Sequence, residues 1–213
     1  MEHYHLTYLT LKFMKIKSVI LFGLISVMSL SLLAQEKDPY QEVQSWQFGK
    51  SRETLFKIDE IIRSTKPDGY KNIEKRLITL LNSQQTTKDA KRYICKWLVI
   101  VGSEECVPAV AQLLTDPELS HPARMVLEPL QSQVAGEALR NALSKVQGKL
   151  LAGVISSIGV RRDTKAVGAI KLYATGADPV VAENAIAALG EIGNDEALTV
   201  LENIRPPQNL ERA

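Results

Sequence analysis

Ala182–Arg205, AENAIAALGEIGNDEALTVLENIR, is the stretch that most narrows the choice of fold. Ala185, Leu189 and Ile192 recur at intervals of four and three, so they share one face of a helix. Gly193-Asn194-Asp195 breaks that pattern, and Leu198, Leu201 and Ile204 resume it on a second helix. Neither helix buries its apolar stripe alone, so the hairpin needs neighbours. The chain supplies them. Counting from Gly193, apolar residues stand eight, four and one positions before the turn. The same columns precede Gly159 (Leu151, Ile155, Ile158), Gln131 (Ala123, Leu127, Leu130) and Gly102 (Ile94, Leu98, Val101).

The second helices repeat as well, at eight and eleven positions after the turn. Their pairs are Val110 and Leu113, Leu139 and Ala142, Val167 and Ile170, and Leu201 and Ile204. A poorer copy surrounds Gly69, followed by Leu77 and Leu80. A two-helix unit returning at about 30 residues is the pattern of an α-solenoid, in which each unit buries its stripe against the next. The expected fold is therefore all-α, an armadillo-like superhelix of about five antiparallel helix pairs. Asp116-Pro117 and Asp178-Pro179 each lie fifteen residues before a turn. Both suit a helix start, with Asp as N-cap and Pro at the first helical position.

These residues carry a family resemblance. DPVVAENAIAALGEIGNDEALTVLENI, residues 178–204, resembles a HEAT repeat of the short, phycobilisome-lyase-like type. Ala182 stands near the place of that repeat's usual first-helix Arg. ICKWLVIVGSEECVPAVAQLLTDPELSHPARMVLEPL and KLLAGVISSIGVRRD resemble the N-terminal array of exported bacterial HEAT-repeat proteins. In such proteins the array often precedes a sugar-active or redox module. The resemblance implies a helical repeat fold and a binding or accessory role.

Met14-Lys15-Ile16-Lys17 opens an uncharged run from Ser18 to Ala34. A basic start, an apolar stretch and a small residue before Gln35 read as a signal peptide over residues 1–34, with translation beginning at Met14. The run is seventeen residues, short of the ~20 a membrane span requires. An uncleaved membrane anchor is the rival reading; the expected location is periplasmic or secreted. Three lysines and one glutamate of the 26 basic and 24 acidic residues fall in residues 1–34, which leaves the two signs equal in number. An electrically balanced chain gives no long-range pull on nucleic acid or an anionic membrane.

Residues 35–50 read as a linker whose aromatics, Tyr40, Trp46 and Phe48, dock on the first helices. The solenoid is expected over 51–205 and a short tail over 206–213. Cys95 and Cys106 fall on the two helices of one hairpin. They are a candidate disulfide if exported, or else two buried thiols filling packing positions. His121 is the only His beyond residue 34, and the nearest following carboxylate on its helix, Glu128, is seven residues on.

Arg161-Arg162-Asp163 is the most distinctive polar cluster. It reads either as a recognition edge, since Arg pairs bidentately with carboxylate or phosphate, or as a cap with an Arg bridge to a neighbouring loop. Outward polar positions on the second helices, Gln112, Arg140, Asn141, Lys171 and Asn203, are further candidate partner contacts. The sequence holds no G-x-S-x-G, H-E-x-x-H, P-loop or dinucleotide glycine pattern. No cofactor or metal site is expected, and no enzyme. The expected role is protein–protein interaction. The alternatives are an accessory subunit positioning a separate sugar-active or redox enzyme, and a self-assembling spacer. The almost wholly apolar run Ala185–Leu189 makes the C-terminal repeat a candidate surface for a second copy.

Overall fold

A computed structural model describes residues 37–204. The expected signal peptide, the start at Met14 and the tail after Ile204 lie outside these residues. Chain contacts divide after Asp38, and the fold below is that of the unit beginning at Pro39.

Among the described residues there are eleven α-helices and no strand. A short helix α1 (Pro39–Gln44) is followed by five helix pairs: α2 (Glu53–Ser64) with α3 (Tyr70–Asn82), α4 (Lys88–Val101) with α5 (Val107–Ala111), α6 (Ser120–Leu127) with α7 (Gln133–Ala142), α8 (Gly148–Val160) with α9 (Val167–Ala174), and α10 (Pro179–Ile192) with α11 (Asp195–Asn203). First helices stack on first helices, α2 on α4, α4 on α6, α6 on α8 and α8 on α10. Second helices do likewise, α3 on α5, α5 on α7 and α9 on α11. This neighbour-to-neighbour stacking makes the chain an α-solenoid of helix pairs.

The apolar columns explain the stack. Every first-helix column residue named above is buried except Leu130, which is half-buried. Of the second-helix pairs, those on α5 with the 3-10 turn Gln112–Thr115 that extends it, on α7 and on α9 are buried, as are Leu77 and Leu80. On α11 the burial shifts. Ala197 and Val200 are buried, Leu201 and Ile204 partly so, and Leu198 is exposed. Leu198 thus stands outside the expected stripe, because 197, 200, 201 and 204 share the face that meets α10. The apolar run Ala185–Leu189 is spent largely inside, with Ala185, Ala188 and Leu189 buried and only Ala187 exposed.

Local chemistry sets the helix ends. Asp178 accepts from the Val180 and Val181 amides with Pro179 at the first helical position, and Asn194 accepts from Ala197. Such caps contribute about 1 kcal/mol each. Asp116 instead accepts from Glu118 and Leu119 and caps a turn, with α6 beginning at Ser120.

The two ends of the stack are filled differently. The stretch expected to be a linker forms α1, which buries Tyr40 and Val43 and covers the first pair. Trp46 follows it into the core, its Nε1 donating to Ser51 O at 2.8 Å and its ring set edge-on to Tyr93. Phe48 does not dock; its side chain is 83% exposed. Trp97 is fully buried and donates from Nε1 to Asp59 Oδ1 at 2.7 Å, which ties α4 to α2. Toward the C-terminus, small residues let backbones approach. A Cβ on Gly159 of α8 would lie 2.8 Å from Ala188 Cα of α10.

Candidate functional site

The inter-helix turn of the third pair and that of the fourth lie side by side. Between them is an open cleft of about 280 Å3, lined by Gln131–Gln133, Gly136 and Arg140 on one side and Arg161–Lys165 on the other. It contains four cationic side chains against one carboxylate.

Arg161 builds the floor. Helix α6 stops at Leu127, with Pro129 two residues beyond, so its last carbonyls lack helical partners. The Arg161 guanidinium supplies them from the next pair. Nη1 donates to the carbonyls of Leu127, Glu128 (3.0 Å) and Leu130, and Nη2 donates to Ser132 O at 3.0 Å. A cation on a helix C-terminus also matches the helix dipole. Burial pulls the Arg161 pKa below its ordinary value; Asp163 opposes this and Arg140 adds to it. Those carbonyls are neutral, so the positive charge of Arg161 is held in place without being cancelled.

Asp163 and Arg140 form the wall. Asp163 Oδ1 accepts from the Lys165 amide at 3.2 Å, which caps the 3-10 turn Thr164–Ala166. Its Oδ2 accepts from Arg140 Nη1 in an ion pair. Gly136 makes room for the group. A Cβ there would sit 3.0 Å from Asp163 Oδ2, 3.2 Å from Arg140 Nη1 and 3.8 Å from Arg161 Nη2.

Arg162 is the outlier. Its φ is +50°, and it is the only non-glycine residue with positive φ among those described. The cause is the way α8 ends. Arg162 N donates to Gly159 O at 2.7 Å and Asp163 N to Ile158 O at 3.2 Å. That bond pair is a Schellman closure, whose left-handed position is usually glycine. An L-residue there costs roughly 1–2 kcal/mol. The Arg162 side chain is exposed, and neither it nor the exposed Lys165 has an ion-pair partner among the described residues.

The sequence candidates therefore separate. Arg161, Arg162, Asp163 and Arg140 come together in the cleft. Arg140 does not point outward as expected; the Asp163 carboxylate draws it onto Gly136. Asn141 lines a second groove of about 240 Å3 between α5 and α7, with Val107, Pro108, Ala111, Val134 and Ala138. Gln112, Lys171 and Asn203 are exposed and line neither groove; Asn203 Nδ2 donates to its own helix at Thr199 O.

Sequence reasoning missed Gly136 and Lys165. A lone glycine inside a helical pattern is a usable sign of close approach; nothing marks Lys165. It also missed Arg124 of α6, which lies against Gly153 of α8 and donates from Nη1 to Gly153 O and Ser157 Oγ, both at 3.0 Å.

Cys95 and Cys106 are free buried thiols, the second of the two readings given for them above. Cys106 Sγ turns to Ser103 O at 3.1 Å, within its own turn. Burial pushes both thiols up to about 12, with Glu74 adding to the shift of Cys106. Neither is a thiolate near neutral pH, so neither is a ready nucleophile or metal ligand. Glu74 is buried and accepts from the Ser103 amide at 2.7 Å and from its hydroxyl. His121 is exposed beside Arg124. Among the described residues, no group of three or more His, Cys, Asp or Glu side chains converges as a metal would require.

The geometry defines a helical-repeat protein with a basic cleft at a turn edge. Residues 181–204, which span most of α10 and all of α11, match the family model of the PBS lyase HEAT-like repeat. The chain therefore carries a HEAT-like repeat in its fifth helix pair, within an all-helical solenoid of helix pairs. No curated protein matches it.

Proposed function

We propose that this chain is an exported scaffold that holds a protein partner, with no catalytic step of its own. The observation that carries the reading is α7, which has an open groove on each side: an apolar one shared with α5 and the basic cleft shared with the fourth turn. A HEAT-like repeat supports it, since such stacks act as carriers of binding surfaces. Of the side chains that come together, Arg161, Asp163 and Arg140 are spent on caps and ion pairs, and none is arranged as a nucleophile with its base. The lyase in the family model's name belongs to that family and does not supply a reaction here.

The test is site-specific photocrosslinking from Gln133 and Asn141, one in each groove, in the envelope fraction of the source cell. One stoichiometric partner, crosslinked from either position, is the expected result. Recovery of the chain alone from both positions overturns the reading. If the partner is a sugar-active or redox enzyme, the scaffold is an accessory subunit of it. Export is tested separately by the N-terminus of the mature protein: a chain beginning near Gln35 supports it, and an intact segment in the membrane fraction supports an anchor instead.

A further inference from the structure

We infer that the cleft between the third and fourth turns is a carboxylate-binding subsite for a short acidic segment of the partner, with Arg162 and Lys165 as its contact residues. The inference rests on the scaffold reading above and assigns one of its two grooves a ligand chemistry.

The argument starts from which charges are spent. Arg140 is paired with Asp163, and Arg161 is fixed by four carbonyls. Both are anchored and do not swing out to meet a ligand; Asp163 neutralises Arg140, so the fixed positive charge of the cleft is that of Arg161. Arg162 and Lys165 line the same cleft, exposed and unpaired. The backbone holds Arg162 in a left-handed conformation just before a helix cap, the place glycine holds in the fifth pair, where a single Gly193 N to Leu189 O bond closes the helix. Folding therefore does not require an arginine there.

The surroundings select the ligand. The second turn, bonded to the third through Ser132 Oγ and Glu104, is acidic at Glu104, while Glu105 beside it is paired with Lys71 at 3.0 Å. The fifth turn is acidic at Asp195 and Glu196. A long polyanion or an anionic membrane surface would meet repulsion at those turns. A volume of about 280 Å3 suits one or two carboxylate side chains. The Arg140–Asp163 pair in the wall shows that the cleft already accommodates guanidinium–carboxylate geometry.

The experiment is an amide-resolved NMR titration of the full chain with the blocked hexapeptide GSEEGS, with GSQQGS as the neutral control. Shifts confined to residues 131–136 and 161–165 are expected with the first peptide alone. Arg162→Gly should weaken binding at least about fivefold while leaving the melting temperature unchanged or higher. Arg162→Glu with Lys165→Glu should weaken it at least about tenfold. Lys66→Glu with Lys75→Glu, the same charge change elsewhere, should leave it unchanged. Equal response to the two peptides, or an Arg162→Gly variant that binds as the parent does, overturns the inference. Displacement of the peptide by inorganic phosphate at a lower concentration than by glutarate overturns the carboxylate assignment. A partner captured by crosslinking regardless of residues 162 and 165 leaves the scaffold reading standing and removes the subsite. Peptide binding at the cleft with no partner captured does the reverse.

Discussion

The fourth and fifth helix pairs turn through the same left-handed step, with Arg162 at φ +50° in one and Gly193 at φ +60° in the other. At Gly193 the residue type follows from the backbone: only glycine takes that conformation without cost, and Asn194 then caps α11. At Arg162 the backbone asks for the same residue and the sequence departs from it. The fourth turn also places a half-buried guanidinium under the preceding pair and a carboxylate against its second helix, whereas the fifth has the simpler cap alone. One turn is explained by folding; the other carries two cations that folding leaves unused.

The largest test of that contrast is Arg161→Ala. It strands the carbonyls at the end of α6 and should destabilise the chain by about 3 kcal/mol, read from the urea midpoint. A loss below ~0.5 kcal/mol would make Arg161 a surface residue and return it to the recognition reading. Next is Gly159→Ala, two residues before the turn. Its new Cβ meets the α10 backbone and must push the helices apart, for about 2 kcal/mol of destabilisation. The double variant with Ala188→Gly should recover part of this if helix approach is the cause.

The two left-handed positions should then respond with opposite signs. Gly193→Ala is expected to cost about 1 kcal/mol, the left-handed penalty less the entropy saved in the unfolded chain. Arg162→Gly is expected to stabilise by about 0.5 kcal/mol for the converse reason. Melting curves that move the same way for both would erase the distinction between the turns.

The smallest effect belongs to the second turn, where Cys106 sits. Both thiols have folded pKa values raised to about 12. As pH rises past the ordinary thiol value, the unfolded chain loses these protons and the folded chain keeps them. Stability present below about pH 8.5 is therefore lost progressively toward pH 12. The parent should lose stability more steeply between pH 8 and 10.5 than the Cys95→Ala, Cys106→Ala double variant. Parallel curves would mean that the thiols are accessible, as would rapid alkylation of the native chain at pH 8.

Much of the fold was legible in the sequence, and less of the cleft. The columns at Leu151, Ile155 and Ile158 announce a helix face because their spacing is a property of one helix. Asp178-Pro179 and Gly193 announce its ends for the same reason. The misreadings came where a distant neighbour decides. Tyr40 docks as its aromatic ring suggests, but residues 39–44 look like linker until the uncovered face of the first pair draws them, with Val43, into the helix α1. Arg140 looks like a surface residue until Asp163 claims it. Leu198 fits an apolar spacing, but Ala197 and Val200 meet α10 instead.

What the sequence alone determined is the repeating helix pair, its turns and the acid–base balance of the chain, because each follows from interactions within about one helical turn or from composition. What only the tertiary structure decided is which arginine is structural and which is free. Arg161 reaches carbonyls 29 to 34 residues away, and its neighbour Arg162 reaches none. That difference is set by the direction in which one turn projects two adjacent side chains, a direction that becomes fixed only when the fourth pair packs on the third.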